Sequence, residues 1–275
     1  MFPDVTPELC ISHVSFGPMT RYAKDLPLLL KAMAEKDQIE RLKLDEVVDM
    51  KSLRLYWMEN DGGNPLYSEI SPEILDKLRS AVSSLRETYG IQCEKVELPL
   101  VMFGLEMWSA RLSVADPRSV EDLLQQTSGF KVSLFNEFVK SFFGRSTFSF
   151  NILFMVAVQR VLGSKVGSTK NRILNKRADL LRQEVIDMLG SNGFLLCPTM
   201  PEEAPFHSST VLKGTDVSLS TVFNVLGVPS LHVPLGLNRN GLPIGVQVVS
   251  APDNDRICFA VAVALEKLFG GFVNP

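Results

Sequence analysis

The sequence has no excess of basic residues and few cysteines. Its 275 residues carry 28 Lys and Arg against 31 Asp and Glu, which gives a formal net charge of −3. A nucleic-acid-binding domain normally carries a basic excess, so we expect no nucleic-acid partner. The four cysteines are scattered and no Asn-x-Ser/Thr acceptor occurs. This composition favours a reducing, intracellular compartment over a secretory one.

Long apolar runs and clusters of metal ligands are also scarce. The longest stretch without charge, residues 217–238, matches a membrane span only in length, because Gly227 and Pro229 interrupt it. No basic region followed by an apolar run opens the chain, so no signal peptide is predicted. Cys10 and His13 have a ligand-like spacing, but no second pair lies nearby. We therefore expect no metal site.

What the sequence does contain is an alternation of strand and helix patterns over one large domain. Helices alternating with short apolar strands predict an α/β fold, in which helices flank a mixed, mostly parallel sheet. In chain order the predicted elements are a helix after Gly17, strand 53–58, helix 72–89, strand 92–98, helix 181–189, strand 194–197, helix 220–226, strands 231–233 and 244–249, and a last helix opened by Asp253.

Two of these helices have apolar residues at the spacing of one buried face. The faces predicted to point inward are Leu26, Leu29, Leu30 and Met33 in the first helix, and Ile257, Val261, Ala264, Leu265 and Leu268 in the last.

Three motifs occur in a fixed order along the chain. They are GPMTRYAKDL at 17–26, PTMP at 198–201 with Ala204-Pro205, and NVLGVP at 224–229 leading through PLG to GLPIGVQ at 241–247. Together they resemble the downstream half of the amidase-signature serine hydrolases. The runs YWMENDGG at 56–63 and LEKLFGGFV at 265–273 narrow the resemblance to the fatty-acid amide hydrolase 2 group. It covers nearly all of the chain, most loosely between 115 and 168.

The resemblance implies an amidase-signature fold that hydrolyses fatty-acid amides to a fatty acid and an amine, without metal or cofactor. In that family a serine attacks the amide, a lysine is the base and a second serine relays the proton, all upstream of the Gly-Pro-Met helix. Only sixteen residues precede Gly17 here. We therefore expect 1–275 to be a partial, C-terminal amidase domain that lacks the N-terminal catalytic half and has no catalytic residue of its own.

Two further interpretations stay open beside this one. The chain could be a truncated, catalytically inactive paralogue that binds lipid or a partner, or part of a longer and active protein. The expected partners are a lipid-like amide substrate, a membrane surface and, in a homodimer, a second copy of the chain. The expected location is intracellular and peripheral on membranes.

The helix near 220–226 carries the candidate substrate-binding residues. In the resembling enzymes the corresponding helix lines the acyl-chain or leaving-group channel, so the resemblance implies that Ser220, Thr221 and Asn224 contact substrate. Helix initiation and packing explain the same residues equally well. The histidines His207 and His232 are interpreted as structural. The turn that begins at Asp61 follows a strand, where a ligand can bind, but a plain turn explains it as well.

The middle of the chain is rich in aromatic and basic residues. Nine basic residues and one acidic residue lie between positions 140 and 182, a local excess of +8. Rings flanked by cations suit a membrane interface, which predicts a cap at about 130–182. A buried helical hairpin with a solvated basic face is the alternative. Eight of the chain's seventeen phenylalanines lie together in this segment: Phe130, Phe135, Phe138, Phe142, Phe143, Phe148, Phe150 and Phe154. The predicted membrane-contact residues are Phe135, Phe138, Phe142 and Phe143.

Overall fold

A computed structural model describes residues 17–65, 67–115, 133–150, 152–154, 156–157, 163–206, 209 and 213–271. Within these ranges the strands are β1 Arg54–Trp57, β2 Gln92–Lys95, β3 Gly193–Pro198, β4 Ser230–Leu237 and β5 Pro243–Ser250. The helices are α1 Leu26–Met33, α2 Lys36–Leu42, α3 Pro72–Tyr89, α4 Gly104–Ala115, α5 Leu134–Phe142, α6 Thr169–Leu189, α7 Ser218–Leu226 and α8 Asp255–Phe269. Short 3-10 turns occupy Ala23–Asp25, Met50–Ser52 and Pro99–Phe103.

The five strands form one mixed sheet in the order β2-β1-β3-β5-β4. Strand β1 runs parallel to β2 and β3, whereas β5 runs antiparallel to β3 and β4. Four of the five strands therefore share one direction, and the predicted mixed, mostly parallel sheet is confirmed. Every residue of β3 is buried, as expected of a central strand covered on both faces.

Helices cover both faces of the sheet and create two apolar cores. On one face α4, α6 and α7 enclose a core that includes Leu181, Leu195 and Phe223. On the other face α3 and α8 enclose a core that includes Leu78 and Leu265. This is the arrangement of helices on both sides of a sheet that the alternating patterns predict.

Helix α3 follows its sequence signals closely. Pro72 occupies the first turn, where a missing amide hydrogen costs nothing, and the apolar residues from Ile74 to Leu85 at helical spacing are buried. The helix ends at Gly90, which has a φ of 69° and donates its amide to the carbonyl of Arg86. A residue with a Cβ would be strained in this left-handed conformation, so glycine is the natural terminator.

The first helix forms, but the prediction of its buried face was wrong beyond Leu26. Leu26 is 7% exposed, whereas Leu29 and Met33 are 36% and 50% exposed. The turn Ala23–Asp25 makes more of the contact with α8 than α1 itself does. Only the start of this short helix therefore packs against the core. Regular apolar spacing does not bury a helix face unless another element lies against it.

The start of the last helix also differs from prediction. Helix α8 begins at Asp255 rather than being opened by Asp253. Asp253 has a φ of 65° and its Oδ1 lies 3.0 Å from Arg41 Nε, so its carboxylate pairs across to α2 instead of capping. The predicted inward face is confirmed, since Ile257, Val261, Ala264 and Leu265 are buried and Leu268 packs partly buried against them.

Helix α6 is longer than the predicted 181–189. It begins at Thr169, where the Ser168 Oγ accepts a hydrogen bond of 3.2 Å from the Asn171 amide. Such a cap satisfies one of the free amides at a helix start. Leu174 and Ala178 are buried in the first core, so the basic residues between 170 and 182 lie on a helix that is part of the main fold.

Candidate functional site

The loops that follow β1 and β3 meet at one edge of the sheet. The two strands are parallel neighbours, so their carboxyl ends lie side by side. Residues 58–71 leave β1 there, and residues 199–217 leave β3 and lead into α7. In open α/β sheets, ligands bind outside the carboxyl ends of strands. This edge is therefore the region in which to look for a site.

A buried carboxylate joins these two loops. Asp216 is 5% exposed, and its two oxygens accept hydrogen bonds of 2.9 Å from the amide and the hydroxyl of Ser68. On the other side of the helix start, a Cβ on Gly104 would lie 2.8 Å from Ser218 Oγ, so only glycine allows this approach of α4. The orientation of α7 is thus set by contacts from two other elements.

A half-buried tyrosine lies beside this junction. The Tyr67 hydroxyl donates to Glu106 Oε2 over 3.3 Å. Burial, reinforced by the Glu106 carboxylate, raises the pKa of Tyr67 to about 12. The phenol therefore stays protonated at neutral pH and acts as a donor that ties loop 58–71 to α4.

The three predicted substrate-binding residues share one side of α7. Ser220 Oγ donates to the Val217 carbonyl over 2.8 Å, and Thr221 Oγ1 donates to the Ser218 carbonyl over 3.0 Å. Asn224 is exposed. The opposite side of the helix is buried in the first core. Because both hydroxyl protons are engaged, the two oxygens remain available as acceptors, while the Asn224 amide can both donate and accept.

Thr199 and His232 form a contact that sequence reasoning did not anticipate. Thr199 Oγ1 lies 2.7 Å from His232 Nδ1, which links the loop after β3 to the edge strand β4. His232 is exposed at the edge strand, but the protein atoms around its ring displace water, and this desolvation lowers the pKa of His232. A neutral imidazole in a link between two elements fits the structural role predicted for this histidine.

The turn after β1 has the geometry of a plain turn. Asp61 Oδ1 accepts a hydrogen bond of 3.1 Å from the Gly63 amide. Gly62 has a φ of 85°, and a Cβ there would lie 2.7 Å from the Met102 nitrogen. Its glycine is explained by this close approach and by its backbone conformation. The turn therefore needs no ligand to account for its residues.

The phenylalanine-rich segment displays three of its four predicted contact residues to solvent. Phe135, Phe142 and Phe143 are 76%, 81% and 74% exposed. Phe138 instead packs partly buried against a small cluster formed by Leu134, Leu153 and Val156. The described members of this cluster all come from the segment itself. One ring thus anchors the segment while the other three project outward.

A buried acid braces the turn after α5, next to Phe142 and Phe143. Glu137 is 2% exposed and accepts hydrogen bonds from Lys140 Nζ at 2.7 Å, Ser146 Oγ at 2.8 Å and the Thr147 amide at 3.2 Å. The Lys140 bond is the main reason that the pKa of Glu137 is lowered. A lone acid among aromatic and basic residues gives no periodic signal, so the sequence did not reveal this role.

Several residues singled out in the sequence lie outside the described residues, among them Cys10, His13, Phe130 and His207. Within the described ranges, no group of three or more His, Cys, Asp or Glu side chains is arranged to hold a metal ion. The helices described include none that is long and apolar enough to cross a membrane.

Comparison with known proteins identifies relatives along almost the whole chain. A family model described as Amidase matches residues 4–259. Fatty-acid amide hydrolase 2 of Homo sapiens is 36% identical over 264 residues, which cover 94% of this chain and 49% of that protein. Fatty-acid amide hydrolase 2-B of Danio rerio is 34% identical over 96% of this chain and 50% of its own length. The chain therefore spans about half the length of the curated relatives it matches.

Solved structures show the same fold at lower identity. A fatty acid amide hydrolase superposes with a TM-score of 0.62 at 19% identity, over 92% of this chain and 48% of that one. A 6-aminohexanoate cyclic dimer hydrolase complexed with substrate superposes with a TM-score of 0.61 at 17% identity, over 91% of this chain and 54% of that one. At these identities the likeness concerns the fold alone.

Proposed function

Since the chain belongs to the amidase family, we propose that it forms the acyl-channel part of a hydrolase that cleaves fatty-acid amides. The polar side of α7 is the observation that carries the proposal, because Ser220, Thr221 and Asn224 form a strip of hydrogen-bonding groups on a helix packed into the core. Its relatives named for fatty-acid amides support the choice of substrate class.

An amide group and this strip have complementary hydrogen-bonding groups. The Asn224 side chain can donate to an amide carbonyl, and the free lone pairs of the Ser220 and Thr221 hydroxyls can accept from an amide nitrogen. The Asp216–Ser68 contact holds α7 in place without any ligand. In this proposal α7 positions the substrate, and no residue of the chain is assigned a catalytic role.

Replacing Asn224 with alanine should weaken the binding of oleamide about two- to tenfold, because a typical hydrogen bond contributes about 0.5–1.5 kcal/mol. Calorimetric titration of the purified chain measures the affinity, and acetamide, which lacks the acyl chain, should show no saturable binding. Asn136→Ala removes an exposed helical asparagine from α5 and should leave the affinity unchanged. Equal affinities for wild type and Asn224→Ala would exclude Asn224 from the substrate site.

We also propose that the exposed rings of α5 contact a membrane. Phe142 and Phe143 flank the turn that Glu137 braces, whereas Phe135 projects from the start of α5. Phe142 also makes an edge contact with Phe150, so the segment itself holds its exposed rings. Arg145 is exposed beside them, whereas Lys140 is tied to Glu137. Insertion of the apolar rings should therefore contribute more to membrane binding than charge does.

The homodimer expected from the sequence stays a prediction.

Replacing Phe142 and Phe143 with serine should reduce co-sedimentation with anionic vesicles at every salt concentration, because apolar insertion is not screened by ions. Arg145→Gln should instead flatten the salt dependence, since headgroup attraction is screened beyond about 8–10 Å at physiological ionic strength. Phe206→Ser, which removes a ring that is 91% exposed in another loop, is the matched control. Wild-type protein that stays in the supernatant at low salt would end the proposal.

A further inference from the structure

An open groove lies on the face of the sheet opposite α7. The segment 24–50 and helix α8 enclose it, with a cavity volume of about 500 Å³. This volume falls within the range of about 300–1,000 Å³ that is usual for small-molecule sites. The groove shares none of its lining with the candidate site at the carboxyl edge, so an inference from it is independent of the proposed function.

The floor of the groove is apolar. Val48, Phe259, Val263 and Ala264 line it, and Val47 projects at its lip with 97% of its surface exposed. Phe259 and Ala264 belong to α8, whose inner side is anchored in the second core. The floor is thus a rigid helix surface, against which an alkyl chain can be removed from water at a gain of roughly 25 cal/mol per Å².

The rim of the groove carries a surplus of positive charge. Lys24, Arg256 and Lys267 line it together with a single acid, Glu46. That acid is already shared, because its two oxygens lie 3.3 Å from Arg256 Nη1 and 3.4 Å from Lys43 Nζ. Among the described residues neither Lys24 nor Lys267 has an ion pair with an acid. Lys24 Nζ lies 5.6 Å from the centroid of the Tyr22 ring, a cation–π contact that does not neutralise its charge. Both lysines of the rim can therefore still attract an anion.

One hydrogen bond joins the two chain segments that carry these lysines. The amide of Ala23 donates to Glu266 Oε1 over 3.1 Å. This bond joins the residue before Lys24 to the residue before Lys267. The same bond places the Glu266 carboxylate next to both lysine-bearing segments, where it offsets one of the two positive charges. Because both lysines line the groove, a ligand carboxylate could accept a charge-assisted hydrogen bond from either ammonium group.

We propose that the groove binds a long-chain carboxylate as a single molecule. Its alkyl chain lies along Val48, Phe259 and Val263, and its carboxylate lies between Lys24 and Lys267. The apolar floor favours ligands that have an alkyl chain, and the two lysines favour a negatively charged head group. A neutral long-chain alcohol keeps only the first of these interactions, and acetate keeps only the second.

Titration with dodecanoate, dodecanol and acetate tests the proposal on the complete chain. Wild type should bind one dodecanoate saturably, dodecanol more weakly and acetate not measurably. The double variant Lys24→Gln, Lys267→Gln should weaken dodecanoate binding roughly tenfold, or about 1.4 kcal/mol, and leave dodecanol binding unchanged. Both lysines are exposed, so this variant should fold. Ala260→Phe, which fills the groove, should abolish binding of both ligands.

Two control variants distinguish binding in this groove from binding at another surface of the chain. Arg172→Gln, Lys176→Gln removes the same charge from exposed positions of α6, on the opposite face, and should bind dodecanoate like wild type. Asn136→Ala, which changes an exposed residue of α5 outside both sites, should also bind it like wild type. The proposal is overturned if wild type shows no saturable binding, if the α6 variant loses as much affinity, or if Ala260→Phe binds normally. It is likewise overturned if the lysine variant loses binding only to anionic vesicles, which would make a membrane headgroup the ligand.

Discussion

Replacing Leu265 with alanine is expected to lower the free energy of unfolding by about 2–5 kcal/mol. The side chain is fully buried in the core between the sheet and α8, where Leu235, Val246 and Leu78 belong to the same cluster. Removing it loses the transfer free energy of the buried carbons and leaves a cavity that a helix pinned along its length cannot close. Denaturant unfolding of both proteins measures the change.

Leu180→Ala is the matched control for this experiment. Leu180 also lies within a long helix, α6, but it is 56% exposed. Both variants make the same change in helix propensity, so the difference between them reports burial. We expect Leu180→Ala to change the stability by no more than about 0.5 kcal/mol. A Leu265→Ala midpoint equal to that of wild type would show that the inner face of α8 is wrongly assigned.

The purified chain is expected to show no hydrolysis of oleamide above the buffer rate. Enzymes accelerate reactions by about 10⁶-fold or more, so this absence is a large and measurable effect. A serine nucleophile needs a base within hydrogen-bonding reach. Ser68 donates to the Asp216 carboxylate and Ser220 to a backbone carbonyl, which places both hydroxyls in structural contacts.

A fluorophosphonate probe provides an independent measurement, because it labels activated serines without requiring turnover. We expect the native and heat-denatured chains to be labelled equally weakly, and a known serine hydrolase serves as the positive control. Heat-sensitive labelling of one serine would contradict the prediction, and mass spectrometry would then identify that serine. Thr199, although it contacts His232, is expected to remain unlabelled because the lone contact provides no oxyanion site.

The elements that sequence reasoning predicted well are those whose signals are local. Helix α3 has a proline at its start, apolar residues at helical spacing and a terminating glycine, all within twenty residues of one another. The final helix was predicted with the correct inward face for the same reason. Strands β3 and β5 are short apolar runs between breakers. The ordered motifs of the amidase family were likewise readable from the sequence, and the fold that they imply is confirmed.

The sequence predictions were wrong where the outcome depended on which elements contact each other in the fold. The apolar spacing of α1 is as regular as that of α3, yet only Leu26 of its predicted face is buried, because α8 meets just the start of the helix. Aspartate is a residue type that commonly caps helices, but Asp253 has a left-handed backbone conformation and forms an ion pair with Arg41 instead. Both outcomes depend on which elements are neighbours in space.

The sequence by itself determined the α/β class, most helices and strands, and the family. Only the tertiary structure decided which polar residues meet. The Asp216–Ser68 contact spans 148 positions and the Thr199–His232 contact spans 33. Periodicity reports which face of an element is apolar, but a hydrogen bond between two loops depends on the register and direction of the strands that carry them.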